Sequence, residues 1–316
     1  MRIAIVSPFI TSYFDPTGLY YSSQQLHLAE ALAARGNSVS VISGWRPGCM
    51  ELSVHEDVGL TWLPLRRLGP GPVVMLKGLG DHIKAQGFDR VLAMESYSPV
   101  SLQAVRAHPN TFIYHGFTGT GGGVLSQVTM AALRRFVEPT VVKRSVGALA
   151  KSPEAAEYLR GLGMNSVSTV GVGVDTSHFV PFQEEKRGQV REELGIPGGR
   201  VLLYVGNFLP LKDVATILDA FKLAIQKRED LFLVLIGDGP DRRFVGTELS
   251  KEGMEGRVLW RRRVPHRDLP GYYGSSDLFV FASRREVFGM VLLEALSCGL
   301  PVASTPVGGG AHARGR

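Results

Sequence analysis

Residues 277–304 constrain the fold of this chain most, because they predict a strand, a loop, a helix and a second strand in immediate succession. Residues 277–282 are apolar and aromatic, which is typical of a buried strand. Strong helix formers fill 290–297 and stop at Gly299, and Pro301 begins another short apolar run. Two strands joined through a helix in this way are expected to lie parallel in one sheet.

Glu286 and Glu294 lie within this stretch, and Phe288, Gly289 and Met290 fall at the predicted helix start. Ligands bind at the carboxyl ends of strands in open parallel sheets, and a helix N-terminus favours an anion. The pattern therefore predicts an anion site behind the strand. Two glutamates at this spacing also occur often by chance on ordinary helices, and the spacing alone does not decide between the two interpretations.

The same alternation of strand, helix and strand recurs along the chain and predicts an α/β protein. At 316 residues, the chain has room for about two domains of roughly 100–200 residues each. The predicted strand–helix–strand units comprise residues 2–7, 19–35 and 38–43, and residues 200–205, 214–225 and 231–236.

Composition excludes several classes of protein. Cys49 and Cys298 are the two cysteines, too few for a disulfide framework and not in a metal-binding spacing, which fits a reducing cytoplasm. No apolar run approaches the ~18 residues of a membrane span. The first strand is not followed by G-x-G-x-x-G, which argues against an NAD-dependent oxidoreductase. The net charge of +6 would suit an anionic partner or simply a basic, soluble surface.

The segments flanking the two glutamates are more specific than their spacing. Glu-x-Phe-Gly from Glu286, Leu-Glu-Ala around Glu294, and Cys-Gly-Leu-Pro-Val-Ala from Cys298 together resemble the donor-site signature of family-4 glycosyltransferases. The resemblance implies a GT-B fold, in which two Rossmann-like domains with parallel sheets face a cleft. It places an acceptor-side domain at 1–172 and a donor-side domain at 173–316.

The resemblance implies transfer of a sugar from a nucleotide-sugar donor to an acceptor hydroxyl, with retention of configuration, as in a hexosyltransferase. It implies no metal and no cofactor beyond the donor substrate. The helix start from Phe288 to Val291 would bind the leaving diphosphate. Glu286 would orient the sugar or stabilise positive charge on its ring, and Glu294 would accept hydrogen bonds from the ribose.

A second part of the resemblance lies after the strand at 200–205. The family has a Gly-Arg pair followed five residues later by a lysine that clamps the diphosphate, and Lys212 matches that lysine. Asn207 stands where the arginine is usual, so one positive charge is missing. Asparagine cannot form the charge-assisted fork that arginine offers to phosphate. A lysine at a helix start is otherwise an ordinary surface residue.

Two candidates lie in the first half. His115 follows a predicted strand at 111–114 and precedes the glycine-rich run 118–123. A lone histidine is more often structural, but the resemblance implies hydrogen bonding between His115 and the sugar or developing charge, rather than the role of a general base. Gly18, in the loop after the first strand, would lie near the donor phosphates or serve as a plain turn residue.

Residues 124–151 combine apolar residues with Arg134, Arg135, Lys143 and Arg144 and predict an amphipathic basic helix. Such a helix lies either on a membrane surface or against the core with its arginines in water. The expected partners are a nucleotide sugar and a glycan, lipid or small-molecule acceptor, with no nucleic acid. A monomer in the cytoplasm, with or without contact to the inner face of the membrane, fits a role in cell-envelope or polysaccharide biosynthesis.

Family members continue beyond the point where this chain ends, and the basic tail after Gly310 departs from their pattern. The sequence therefore predicts an incomplete second domain, through truncation or a change of reading frame, with reduced stability and weak activity. Two other functions remain open at this stage. One is an inactive nucleotide-sugar-binding remnant, and the other is a GT-B sugar-nucleotide epimerase, which would need no acceptor.

Overall fold

The computed structural model describes residues 1–8, 24–45, 57–68, 73–116, 124–196, 198–251, 253–286 and 288–306. The chain divides into two compact units, Met1–Gly171 and Val172–Arg316. The sequence placed its domain boundary between residues 172 and 173. The assignment of the acceptor to the first unit and of the donor to the second stays a prediction.

In the first unit, eight strands of the described chain form one sheet in the order β4-β3-β2-β1-β5-β6-β7-β8. Neighbouring strands are parallel except for the antiparallel pair β3 and β4. The strands are β1 Arg2–Ser7, β2 Ser38–Trp45, β3 Val58–Arg67, β4 Val74–Leu76, β5 Arg90–Met94, β6 Thr111–His115, β7 Gly147–Ala150 and β8 Val167–Thr169. The helices are α1 Gln24–Ala33, α2 Leu79–Gln86, α3 Pro99–Ala107, α4 Val124–Phe136, α5 Glu138–Arg144 and α6 Pro153–Gly161.

Helices cover both faces of this sheet. Successive residues of a strand point to opposite faces, so they pack into two different clusters. In β1, Ala4 and Val6 belong to a core cluster that includes residues of α2, α3, α5 and α6. Ile5 points the other way, into a cluster with Leu26 and Ala29 of α1. With both faces covered, central strands such as β1 and β5 are almost entirely apolar.

In the second unit, five strands of the described chain form a parallel sheet in the order β11-β10-β9-β12-β13. These strands are β9 Arg200–Val205, β10 Leu231–Ile236, β11 Val258–Arg261, β12 Leu278–Phe281 and β13 Val302–Ser304. The helices are α7 Glu184–Leu194, α8 Val214–Ile225, α9 Arg242–Leu249, α10 Leu269–Ser275 and α11 Met290–Ser297. Short 3₁₀ turns occupy Pro210–Lys212 and His266–Asp268.

The second sheet is also covered on both faces. Val201 and Leu203 of β9 pack in a cluster with residues of α10 and α11, whereas Tyr204 packs in a cluster with α8 and α9. One mainly parallel and one fully parallel sheet, each with helices on both faces, confirm the predicted α/β class with Rossmann-like units.

The prediction of a single helix over 124–151 is wrong. This segment contains α4, α5 and then β7. Pro139 in the first turn of α5 has no N–H to continue the preceding helix, which explains the break after Phe136. Ser152 caps the start of α6, because its side chain accepts a hydrogen bond from the Ala155 N–H at 3.2 Å.

Candidate active site

The loops after β9 and β12 leave the same edge of the second sheet, because these two strands are parallel neighbours. Lys212 lies in the loop after β9, and Glu286 lies in the loop after β12. A parallel sheet therefore brings together two residues that are 74 positions apart in the sequence. This is the edge at which open α/β sheets bind their ligands.

Lys212 and Glu286 form an ion pair between Nζ and Oε2. Their side chains are 19% and 18% exposed, so both are shielded and yet reachable from solvent. The Lys212 ammonium also lies 5.4 Å from the centroid of the Phe281 ring, at the end of β12. The face of the Phe281 ring attracts the ammonium and helps to hold it in position.

Hydrogen bonds tie the two loops to each other. The Leu211 carbonyl accepts from the Ser283 hydroxyl at 3.1 Å and from the Arg284 N–H at 2.8 Å. The Arg284 Nε donates to Asp213 Oδ2 at 2.8 Å, and this hydrogen bond lowers the pKa of the Asp213 carboxyl. The position of Lys212 relative to Glu286 is therefore set by hydrogen bonds from Ser283 and Arg284 to the residues on either side of Lys212.

Gly289 is the N-cap residue, directly before α11, and it has a left-handed backbone conformation with φ 75° and ψ 63°. A Cβ at this position would lie 2.9 Å from Leu292 Cδ1 and 3.3 Å from Glu286 Cγ. Phe288 on one side and Met290 with Val291 on the other are half-buried. The first N–H groups of a helix have no partner within it and carry the positive end of its dipole, so this turn favours an anion.

Gly289→Ala is expected to destabilise the second unit by roughly 1–2 kcal/mol, because alanine is strained at positive φ and its Cβ would press on Leu292. Urea denaturation of the variant measures this cost. Gly256 offers a matched control, since its φ is 72° but no atom lies within 4 Å of a Cβ there. An equal loss in Gly289→Ala and Gly256→Ala would show that the contacts to Leu292 and Glu286 contribute nothing.

Asn207 is exposed, and its backbone carbonyl accepts from the Tyr204 hydroxyl at 3.3 Å. The loop that carries it lies against the loop after β10. A Cβ on Gly237 would lie 2.0 Å from the Gly206 carbonyl oxygen, and a Cβ on Gly239 would lie 2.5 Å from the Phe208 carbonyl oxygen. Both glycines are required because backbone approaches backbone here.

Glu294 is almost fully buried in α11. The Tyr273 hydroxyl donates to its Oε2 at 2.8 Å, and His266 Nε2 lies 3.0 Å from its Oε1. Burial and the Glu294 charge hold the pKa of Tyr273 well above its usual value, and they raise the pKa of the Cys298 thiol to about 12. Both carboxylate oxygens thus already have partners, and the predicted role toward a ribose stays a prediction.

Sequence reasoning missed the partners of Glu294. His266 could have been suspected because it closely follows β11, at the ligand-binding edge of the sheet. Tyr273 lies within α10 and carried no signal beyond an aromatic residue in an apolar helix. Residues 261–263, at the end of β11, are three arginines. Part of their positive charge is neutralised, because Arg262 pairs with Asp238 Oδ2 at 2.6 Å.

In the first unit, His115 ends β6 and is fully buried. Its Nδ1 lies 3.1 Å from Glu95 Oε2 and 3.2 Å from Ser96 Oγ. Its Nε2 is buried and has no hydrogen-bond partner among the described residues. The ring stacks on Tyr158, with centroids 5.5 Å apart and an interplanar angle of 11°. An orphaned buried nitrogen at the carboxyl edge of a parallel sheet is a natural contact for a ligand hydroxyl.

Glu95 was not predicted from the sequence, yet it lies beside His115 directly after β5. Its backbone has φ 65°, which is rare for a residue with a side chain. Burial alone would raise the pKa of its carboxyl, but His115, with help from Lys151 and the Gly116 N–H, holds that pKa below its usual value. The one available signal in the sequence was its place directly after the apolar run 91–94.

Gly18 and the glycine run 118–123 lie outside the described residues. Within the part of the chain that the structure describes, no three His, Cys, Asp or Glu side chains are grouped as metal ligands would be. Among those same residues, no helix is both long and apolar enough to cross a membrane.

Two family models match the chain. Residues 24–178 match the model described as Glycosyltransferase Family 4, and residues 186–313 match the model described as Glycosyl transferases group 1. The first model covers most of unit 1 and the second covers most of unit 2, so the two matches follow the division of the fold.

Curated relatives resemble parts of the chain. D-inositol 3-phosphate glycosyltransferase of Thermobispora bispora is 35% identical over 45% of this chain and 35% of its own length. Mannosylfructose-phosphate synthase of Agrobacterium fabrum is 29% identical over 47% of this chain and 34% of its own length. A GDP-mannose-dependent alpha-(1-6)-phosphatidylinositol monomannoside mannosyltransferase of Mycolicibacterium smegmatis is 26% identical over 78% of this chain and 65% of its own length. The matched part thus spans about a third of the first two relatives.

Solved structures share the fold over nearly the whole chain. Sucrose-phosphate synthase from Thermosynechococcus elongatus superposes with a TM-score of 0.76 at 20% identity, covering 98% of this chain and 82% of that one. The Anabaena protein HepE in complex with UDP-glucose superposes with a TM-score of 0.70 at 16% identity, covering 100% of this chain and 83% of that one. At these identities the likeness shows the fold alone, which is that of GT-B glycosyltransferases.

Proposed function

The chain belongs to the family-4, group 1 glycosyltransferases, and from that premise we propose that it transfers a sugar from a nucleotide-sugar donor to an acceptor hydroxyl. The observation that carries the proposal is the ion pair between Lys212 and Glu286 at one sheet edge, beside the start of α11. A cation, a carboxylate and a helix N-terminus are the three groups that the reaction uses.

The reaction breaks the bond between the anomeric carbon and the diphosphate, and it forms a bond from that carbon to the acceptor oxygen. The acceptor hydroxyl gives its proton to an oxygen of the departing diphosphate. Negative charge develops on the diphosphate as it leaves. The Lys212 ammonium and the first N–H groups of α11 stabilise that charge, in a place where both are held before the substrate arrives. The Phe281 ring and the two tied loops keep the ammonium in position.

Glu286 has a separate role on the sugar side. The ring of the transferred sugar gains positive charge as the diphosphate leaves, and a carboxylate nearby stabilises that charge. Its hydrogen-bonding oxygens also orient the sugar hydroxyls. We assign no nucleophile, and we infer from the family resemblance that the anomeric configuration is retained and that a hexose is the transferred group.

The partner of Lys212 changes during the cycle under this proposal. In the free chain Glu286 neutralises the lysine. A diphosphate carries more negative charge than one carboxylate, so the bound donor competes for the ammonium and releases Glu286 toward the sugar. Asn207, on the exposed side of the β9 loop, then contributes a neutral hydrogen bond in place of a second cation.

The acceptor is proposed to be a glycan, a lipid or a small molecule, bound by the first unit. In that unit, we place the orphaned Nε2 of His115 against a hydroxyl of the transferred sugar. By their names, two of the relatives above act on inositol 3-phosphate and on a phosphatidylinositol monomannoside, and the third makes mannosylfructose phosphate. These names support a polar acceptor with hydroxyl groups.

We extend the proposal to a cytoplasmic monomer that touches the membrane through α4, for cell-envelope or polysaccharide biosynthesis. Phe136 is 73% exposed at the end of this helix, with the exposed Arg135 guanidinium 5.7 Å from its ring centroid. An apolar ring beside a cation suits an anionic lipid surface. Co-sedimentation with phosphatidylglycerol vesicles, lost in Phe136→Asp, tests this extension.

A thermal-shift screen against UDP-, GDP- and ADP-sugars, followed by turnover with a panel of hydroxyl acceptors, tests the function. The expected result is a raised Tm with one base series and sugar transfer from that donor. Binding followed by interconversion of the sugar without any acceptor would select the epimerase. Binding without turnover of any kind would select the inactive remnant. A Tm that no nucleotide sugar raises would contradict the proposal as a whole.

A further inference from the structure

We propose that Glu95 is a positioning residue, which fixes the tautomer and orientation of the His115 ring so that Nε2 is presented as a hydrogen-bond acceptor. The inference rests on the proposed function only in giving His115 a sugar hydroxyl to contact. The arrangement itself is a property of the first unit and can be measured without any substrate.

The first step concerns the proton on Nδ1. Glu95 Oε2 lies 3.1 Å from Nδ1, and the carboxyl is ionised at neutral pH because its pKa lies below the usual value. An ionised carboxylate only accepts hydrogen bonds. The short distance therefore requires that Nδ1 carries the proton and donates it toward Glu95.

The Ser96 hydroxyl supports the same tautomer. Its hydrogen is directed to the buried carboxylate of Glu138, to which Ser96 Oγ donates. With its only hydrogen used there, Ser96 Oγ can act only as an acceptor toward Nδ1, at 3.2 Å. The Ser96 backbone N–H also lies 3.3 Å from Nδ1 and would favour the opposite tautomer. The charged acceptor at the shorter distance outweighs this neutral donor.

The second step concerns Nε2. When Nδ1 carries the proton in a neutral imidazole, Nε2 is left with a lone pair. This atom is buried and has no partner within the described part of the chain. A sugar hydroxyl that donates to Nε2 would satisfy this lone pair. In the other tautomer, Nε2 would carry the proton and could only donate a hydrogen bond to the hydroxyl oxygen. Glu95 thus decides which kind of group His115 can bind.

The orientation of the His115 ring is also fixed by its aromatic neighbours. Tyr158 stacks on one face with its hydroxyl donating to Glu138 Oε2 at 2.6 Å, and Tyr97 meets the ring edge to face at 6.2 Å. Lys151 Nζ lies 3.8 Å from Glu95 Oε1. The carboxylate is therefore held between a cation and the imidazole and does not turn away from Nδ1.

The backbone of Glu95 supports a specific role. A residue with a side chain at φ 65° costs roughly 1 kcal/mol relative to the right-handed region, and such strain concentrates at functional sites. Its N–H donates to the Tyr114 carbonyl at 3.0 Å, and its carboxylate accepts from the Gly116 N–H at 3.3 Å. Glu95 is therefore hydrogen-bonded to Tyr114 and Gly116, the residues immediately before and after His115.

Long-range ¹H–¹⁵N NMR of the histidine ring tests the inference on the intact chain. In the wild type, the spectrum of His115 is expected to show Nδ1 protonated and Nε2 unprotonated at pH 8. In Glu95→Gln, we expect a mixture of the two tautomers, because the anion that accepts the Nδ1 proton is gone. The groups that face the ring and remain are Glu138, Lys151, Tyr97 and Tyr158, with Arg134 behind Tyr158.

Glu157→Gln is the matched control, because it removes one negative charge from an exposed site in the same unit. Its His115 signals are expected to match those of the wild type. Glu95→Asp keeps the charge and is expected to keep the Nδ1–H tautomer. In transfer assays, Glu95→Gln should lower kcat about 10- to 100-fold, the size of a lost charged hydrogen bond, while the donor KM changes little.

The NMR result separates this inference from the proposed function. A protonated Nδ1 in the wild type together with no transfer from any donor would sink the function and leave the positioning role standing. A protonated Nε2 in the wild type, which needs no variant to fold, would overturn the positioning role. So would a Glu95→Gln spectrum that is equal to the spectrum of Glu157→Gln.

Discussion

Lys212→Ala is expected to lower kcat/KM for the nucleotide sugar about 100- to 1000-fold, the usual cost of removing a preorganised group that stabilises a developing anion. The ammonium is held by the Phe281 ring and by an ion pair to Glu286, so a neutral side chain here removes charge without disturbing a helix or strand. We expect the donor Kd to rise and kcat to fall together. Steady-state kinetics and calorimetry measure the two effects.

Glu286→Ala is expected to lower kcat by a similar factor of about 100 or more, but with the opposite effect on binding. Without Glu286, the ammonium of Lys212 is no longer neutralised in the free chain, so the donor Kd should stay the same or fall. Lys227→Ala, an exposed lysine just after α8, is the matched control and should leave both constants unchanged. Wild-type rates in both site variants would remove Lys212 and Glu286 from the site.

Asp277→Ala is expected to destabilise the second unit by about 3 kcal/mol, the lower end of the cost of breaking a buried ion pair. Asp277 is 15% exposed and accepts from Arg187 at 2.6 Å, from Arg191 at 2.8 Å and from the Val201 N–H at 2.7 Å. Its loss leaves three arginines, including Arg200 at 3.3 Å, and a strand N–H without their anion, and it weakens the attachment of α7 to the sheet. Urea denaturation, with Asp230→Ala as an exposed control, measures the difference.

The contribution of Asp277 should depend on pH. Burial alone would raise the pKa of its carboxyl, but the Val201 N–H and the arginines hold the pKa below the usual value. A depressed pKa in the folded state means stability that is present above the unfolded value of about 3.9 and is lost as the pH falls from there through the folded pKa. The gap between wild type and variant should thus close below about pH 4. A gap that is constant from pH 7 to pH 3 would contradict the ion-pair account.

Part of the site was predictable because the signals are local. Glu286 and Gly289 lie between a predicted strand and a predicted helix, and that order alone places them at the ligand edge of a parallel sheet. Lys212 was recognised through the family pattern after β9. The ion pair between Lys212 and Glu286 could not be read from the sequence, since it depends on β9 and β12 being neighbours in the sheet.

Other features depend on contacts between distant residues. Glu95 is a single acidic residue after a strand, and its meaning comes from His115 beside it and from Ser96 and Glu138 behind the ring. The cluster around Asp277 forms because Arg187 and Arg191 lie one helical turn apart on α7. The strand β7 was missed because a run of four small or apolar residues next to helices has no distinctive period.

A crystal structure of the chain with the nucleoside diphosphate selected by the thermal-shift screen tests the central claim most directly. The account predicts that the phosphates lie at the start of α11, within hydrogen-bond distance of the backbone N–H groups of Met290 or Val291 and of Lys212 Nζ. A diphosphate bound with full occupancy elsewhere on the chain, with Lys212 still paired to Glu286, would contradict it.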